Sequence, residues 1–136
     1  MKSITVETSI EAPVEKVWTC FTDPSHITKW NNASPEWHTP KAVNDLHMGG
    51  TFNYRMESKD GKEGFDFTGT YDEVIPHKLI RYTMEDGRKV SVIFEQKNGA
   101  THVTETFDPE TENSLDLQRQ GWQAILDNFK RYVEGN

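Results

Sequence analysis

No apolar run in this chain reaches the roughly 20 residues that a bilayer-spanning helix needs, which excludes an α-helical membrane protein. There is one cysteine, Cys20, so no disulfide framework can form within the chain, and a reducing cytoplasmic setting is expected. Basic residues are outnumbered, 15 Lys and Arg against 22 Asp and Glu, for a formal net charge of −7. A surface of that sign disfavours nucleic acid, whose phosphates need clustered cations, and it disfavours an anionic membrane. The opening Met1-Lys2-Ser3-Ile4-Thr5-Val6-Glu7 alternates instead of building an apolar core and is not expected to be a signal peptide. His26, His38, His47, His77 and His102 form no H-x-x-x-H or H-x-H pair. No metal site and no cofactor is therefore expected. Nucleophile-elbow and phosphate-loop motifs are missing as well.

Apolar residues are also scarce at 34%, yet aromatics reach 11%, with four Trp, four Tyr and seven Phe. Large rings bury much area per residue, so a core can be built from few of them. A length of 136 residues suits one domain, expected to span 1–136.

Residues 2–11 alternate as a half-buried strand, with Ile4, Val6, Thr8 and Ile10 on one face. Pro13 with Glu15 reads as a helix start, and Val14, Val17, Trp18 and Phe21 follow at helical spacing. Asp23-Pro24 ends that helix and caps a short second one through Trp30. Residues 31–40 read as a loop entering a strand, and Asp45 to Gly50 as a turn before the alternating segment Thr51–Glu57. Asp60-Gly61, Asp86-Gly87 and Asn98-Gly99 are tight-turn pairs. They separate strands at 65–74, 79–84, 89–95 and 101–107, an antiparallel meander. The chain closes on a helix over about 113–133, whose stripe is Leu115, Gln118, Trp122, Ile125, Leu126, Phe129, Tyr132 and Val133. One sheet with one face to bury and one helix with one stripe to bury imply an α+β fold, a curved sheet gripping the helix.

Four segments carry a family resemblance. They are Ile10-Glu11-Ala12-Pro13-Val14-Glu15-Lys16-Val17-Trp18 with Phe21-Thr22-Asp23-Pro24 and Trp30; Asp45-Leu46-His47-Met48-Gly49-Gly50-Thr51-Phe52; Gly69-Thr70-Tyr71 with Glu73-Val74 and Pro76-His77-Lys78-Leu79-Ile80; and Gly121-Trp122 with Leu126, Phe129 and Tyr132. In that order they resemble the Bet v 1-like (START-related, SRPBCC) superfamily, in the branch similar to the C-terminal domain of the Hsp90 ATPase activator. The resemblance implies the helix-grip fold and, by kinship alone, a chaperone partner. His47 stands where relatives usually carry Arg.

Phe52, Tyr54 and Met56 share one strand face, and Phe65, Phe67, Gly69 and Tyr71 share another. Turned toward Trp122 and Leu126, with Trp30 and Trp37 near one mouth, they would line a cavity for a small hydrophobic or lipid-like ligand. Gly69 and Gly121 would leave it room. The expected site residues are Trp30, Trp37, Phe52, Tyr54, Phe67, Tyr71, Trp122 and Leu126, with none assigned to catalysis. The alternatives are a polyketide cyclase-type enzyme, with Glu73 and the tyrosines as its polar groups, and a chaperone- or protein-binding module. Binding without catalysis is the leading expectation.

Overall fold

The computed structural model describes residues 3–136. The readings that fall on Met1 and Lys2 lie outside the described residues. Strand β1 (Ile4–Ile10) buries Ile4, Val6 and Ile10 and turns Thr5, Glu7 and Ser9 to water, as the alternation requires. Helix α1 (Val14–Thr22) has Pro13 at its N-cap and buries Val14, Val17, Trp18 and Cys20. Asp23 ends α1 and caps α2 (Pro24–Trp30), its side chain accepting from the Ser25 backbone N–H at 2.9 Å.

Six more strands follow: β2 (Trp37–Asn44), β3 (Thr51–Ser58), β4 (Gly64–Ile75), β5 (Leu79–Met84), β6 (Lys89–Lys97) and β7 (Ala100–Phe107). They join β1 in one seven-stranded antiparallel sheet of order β1-β7-β6-β5-β4-β3-β2. The two edges, β1 and β2, are thus linked by α1 and α2, which carry the chain from one side of the curled sheet to the other. Residues 37–40 were expected in a loop but already belong to β2. Pro40 is tolerated there because β2 is an edge strand and its pairing to β3 slips between His38 and Lys41. At the β6–β7 hairpin, Asn98 and Gly99 take φ of 54° and 82°, the two positive values a tight two-residue turn asks for.

Helix α3 (Leu115–Glu134) lies in the concave face, its Ser114 cap accepting from the Leu117 N–H at 3.1 Å. Gln118, Leu126, Phe129 and Val133 are buried, and Trp122, Ile125 and Tyr132 partly so. Leu115, expected in the stripe, stays exposed with Leu117, because the helix meets the core only from Gln118 onward. Gln118 is a clasp rather than a core filler. Its Oε1 accepts from the Glu110 N–H at 2.8 Å and its Nε2 donates to the Glu110 and Asn113 carbonyls at 3.1 and 2.9 Å. That ties the segment before α3 to the helix itself.

Gly69 corrects another expectation. It pairs with Phe52 across β3–β4, and a Cβ built on it would stand 2.6 Å from Phe52 Cε2 and 3.1 Å from the Thr83 carbonyl oxygen. The space left by its missing side chain is filled by the Phe52 ring and is not cavity. Gly69→Ala is accordingly expected to destabilise the fold by about 1–3 kcal/mol through overpacking. An unchanged thermal melt would show that the Phe52 ring swings aside freely.

Candidate functional site

A cavity of about 300 Å³ lies between the sheet and α3. The α1–α2 end supplies Phe21, Thr22, Trp30 and Asn31, and the helix contributes Gln118, Trp122 and Ile125. On the sheet, Phe52, Tyr54, Phe67, Tyr71 and Tyr82 form most of the wall. Their rings interlock edge to face: Phe52 meets Phe67 at 5.4 Å and 68°, and Tyr82 at 4.9 Å and 81°, while Phe67 meets Trp122 at 6.4 Å and 89°. Such pairs add modestly to area burial and hold each other's orientation, so the wall is preorganised. Trp122 is itself fixed by stacking on the fully buried Phe107, at 3.9 Å and 11°.

Of the residues singled out in the sequence, Trp30, Phe52, Tyr54, Phe67, Tyr71 and Trp122 border this cavity. Trp30 is also a core residue. It stacks on Phe21 at 5.4 Å, meets Phe129 at 4.7 Å, and donates from Nε1 to the Cys20 carbonyl at 2.8 Å. Trp37 and Leu126 are not among the lining residues. Trp37 sits half-buried on the edge strand against Phe65, 6.0 Å away, and Leu126 is packed into the core. Gly121 differs from Gly69, since nothing lies within 4 Å of a Cβ built there.

The tyrosines are neutral hydrogen-bonding groups. Burial pushes the Tyr71 phenol up to about 12, and it raises the Tyr54 and Tyr82 phenols well above their ordinary value. The Tyr71 hydroxyl is committed, donating to Asn44 Oδ1 at 2.5 Å. Among the described residues the Tyr82 hydroxyl has no such partner, although it too faces the cavity.

Glu73 does not point inward as parity from Phe67 and Tyr71 suggested. The β4–β5 register slips between Tyr71 and Glu73, so the strand spends an extra residue, Asp72, on the outer face. Glu73 then pairs across to Arg81, 3.5 Å away on the outside. Arg55 is outside as well, bonded to Glu57 at 2.9 Å. His47 serves its turn, with Nε2 3.1 Å from Asp45 and Nδ1 3.0 Å from the Met48 carbonyl oxygen.

The inward carboxyl is instead Glu105, which no motif had flagged. On β7, Thr101, Val103 and Phe107 are buried, and Glu105 shares their parity. Its neighbours in register are Val6 on β1 and Val92 on β6, both buried. The surface Glu105 retains faces the cavity, and no hydrogen bond or ion pair to it occurs among the described residues. Desolvation alone raises its acid from 4.5 to about 8. A readable signal existed: Thr-His-Val-Thr-Glu-Thr-Phe puts a carboxylate where the period calls for an apolar residue. Near it, Arg88 and Glu110 also border the cavity. Arg88 Nε is bonded to Asp86 at 2.8 Å. Glu110 accepts from the Asn113 and Glu112 N–H groups at 2.8 and 3.0 Å, which holds its carboxyl below the usual range. Among the described residues no three His, Cys, Asp or Glu side chains are grouped to hold a metal, and no helix is long and apolar enough to cross a membrane.

Comparison with known proteins places this architecture. The sequence profile of the family described as activator of Hsp90 ATPase homolog 1-like protein matches residues 11–134. An AHSA1-like protein from Aeromonas hydrophila is 48% identical, with a TM-score of 0.93 over 98% of this chain and 93% of that one. A protein from Cytophaga hutchinsonii is 52% identical, with a TM-score of 0.86 over 98% of this chain and 93% of that one. An Aha1 dimer from Colwellia psychrerythraea, 19% identical with a TM-score of 0.77 over 98% of this chain and 97% of that one, shares the fold. The curated proteins contain no match. Matched over nearly its whole length, the chain belongs to the activator of Hsp90 ATPase homolog 1-like family, within the Bet v 1-like (SRPBCC) superfamily.

Proposed function

We propose that the protein binds a small, mainly apolar ligand, aromatic or lipid-like, between its sheet and α3. The observation that carries this reading is the cavity of about 300 Å³ walled by interlocked rings. A concave, mainly apolar space of that size with a few polar groups on its lining is the usual setting of a small-ligand site. A ligand hiding roughly 250 Å² of apolar surface gains on the order of 6 kcal/mol before association costs. Micromolar or weaker affinity follows. Trp30 and Trp122 border the space and report on it. Titration with neutral naphthalene-type probes should quench or shift tryptophan emission saturably. A linear, non-saturating response to every probe would sink the reading.

A second reading, acid–base catalysis of the polyketide cyclase type, is favoured by Glu105 and by the Tyr82 hydroxyl, unpaired among the described residues, on one wall. A carboxyl titrating near neutrality suits proton transfer next to a substrate carbonyl that a phenol holds. Hydrogen–deuterium exchange at the α-carbon of an aromatic 1,3-diketone, lost in Glu105→Gln, would distinguish it from binding alone.

A further inference from the structure

We propose that the ligand of this cavity is a hydrophobic organic cation, an amine or quaternary ammonium on an aromatic or aliphatic body, with Glu105 as its counter-ion; this rests on the ligand-binding reading above.

Among the described residues Glu105 is the one carboxyl that the sheet turns into the cavity, and no hydrogen bond or ion pair answers it. The groups around it come from every element that packs on the cavity. Strands β3, β4 and β5 present Tyr54, Tyr71 and Tyr82, all neutral at physiological pH. Helix α3 presents Gln118, Trp122 and Ile125, which carry no charge. Its register neighbours on β1 and β6 are Val6 and Val92. At the mouth, Arg88 is engaged by Asp86, and Glu110 adds a second carboxylate. The lining therefore has two acids against one arginine that already has a partner.

The walls suit the same guest. Aromatic faces attract a cation through their quadrupole, most strongly when water is excluded. Phe52, Phe67, Tyr82 and Trp122, set edge to face, supply such surfaces around an otherwise apolar space. A net charge of −7 steers cations toward the protein before contact. A neutral guest would use the walls and give the protonated acid at most a hydrogen-bond acceptor, never a counter-ion. A cation answers both.

The linkage has a definite sign. In the empty cavity Glu105 is protonated below about 8. A cation restores its ionised form, so binding releases a proton below that pH. Affinity should rise about tenfold per pH unit up to about 8 and then level off.

Isothermal titration with three probes tests this. Phenyltrimethylammonium carries a permanent charge, tert-butylbenzene has its shape without the charge, and acetophenone offers a neutral acceptor. At pH 8 the cation should bind at least about tenfold more tightly than tert-butylbenzene. Its affinity should fall toward pH 6, with a buffer-dependent heat that reports proton release. Glu105→Gln should abolish both the preference and the pH dependence while still binding tert-butylbenzene. If tert-butylbenzene or acetophenone binds as tightly as the cation, the cation assignment is overturned and the cavity reading stands. If none of the three binds, both fall.

Discussion

Glu105→Gln is expected to raise the melting temperature at pH 8 by about 10 °C and to change it little at pH 5. The carboxyl is held among Val6, Val92 and aromatic walls, with no partner among the described residues. Folding moves its acid from 4.5 to about 8. Between those values the folded state binds the extra proton, so stability falls as pH rises from about 4.5 to 8 and is level above. The whole span is worth at most about 5 kcal/mol, and an amide buried in the same place takes back about 1–2 of it. A net gain of about 3 kcal/mol at pH 8 remains, and a 136-residue domain converts each kcal/mol into about 3–4 °C. His47 and Cys20, also raised, titrate equally in both proteins and drop out of the difference. Melts of both proteins at pH 5, 6.5 and 8 check it. A gap that stays constant with pH would mean the carboxyl is solvated.

The strand pattern was legible because one physical rule governs it. In Ile4–Ile10, Thr51–Ser58 and Leu79–Met84, alternate residues face the core, and the hydrophobic pattern sets the register. Tight-turn pairs such as Asn98-Gly99 marked where the meander reverses. Period-two reasoning failed where the backbone departs from it. The slip after Tyr71 turned Glu73 outward, and the slip beside Pro40 hid the start of β2. Both are irregularities of pairing that a single strand's sequence does not carry. Glu105 was missed for the opposite reason. Its strand is regular, and only the rule that charges avoid an apolar face would have singled it out. Phe52, Tyr54, Phe67 and Tyr71 lie together on the cavity lining because alternate residues of β3 and β4 share one sheet face. Trp37 and Leu126 lie off the lining because Trp37 packs on Phe65 at the sheet edge and Leu126 fills the core, placements that the spacing of residues in the chain does not carry.

Phe129→Ala is expected to destabilise the protein by about 3–5 kcal/mol, lowering the melting temperature by more than about 10 °C. Phe129 is wholly buried on α3, with Phe21 at 5.2 Å and 83° and Trp30 at 4.7 Å and 62°. It is where the long helix meets α1 and α2, the link between the two sheet edges, so its removal opens a void at the joint. Leu115→Ala on the same helix truncates an apolar side chain at an exposed site and should change stability by no more than about 0.5 kcal/mol. Similar losses from the two substitutions would mean that α3 does not dock through its Gln118–Val133 stripe. Because Phe21 and Trp30 also border the cavity, the void made by Phe129→Ala adjoins the proposed binding space. A saturating apolar probe that binds only the folded state should therefore recover part of the lost stability, in proportion to the logarithm of its concentration. A melt of the variant that ignores the probe, while the wild type responds to it, would separate the joint from the site.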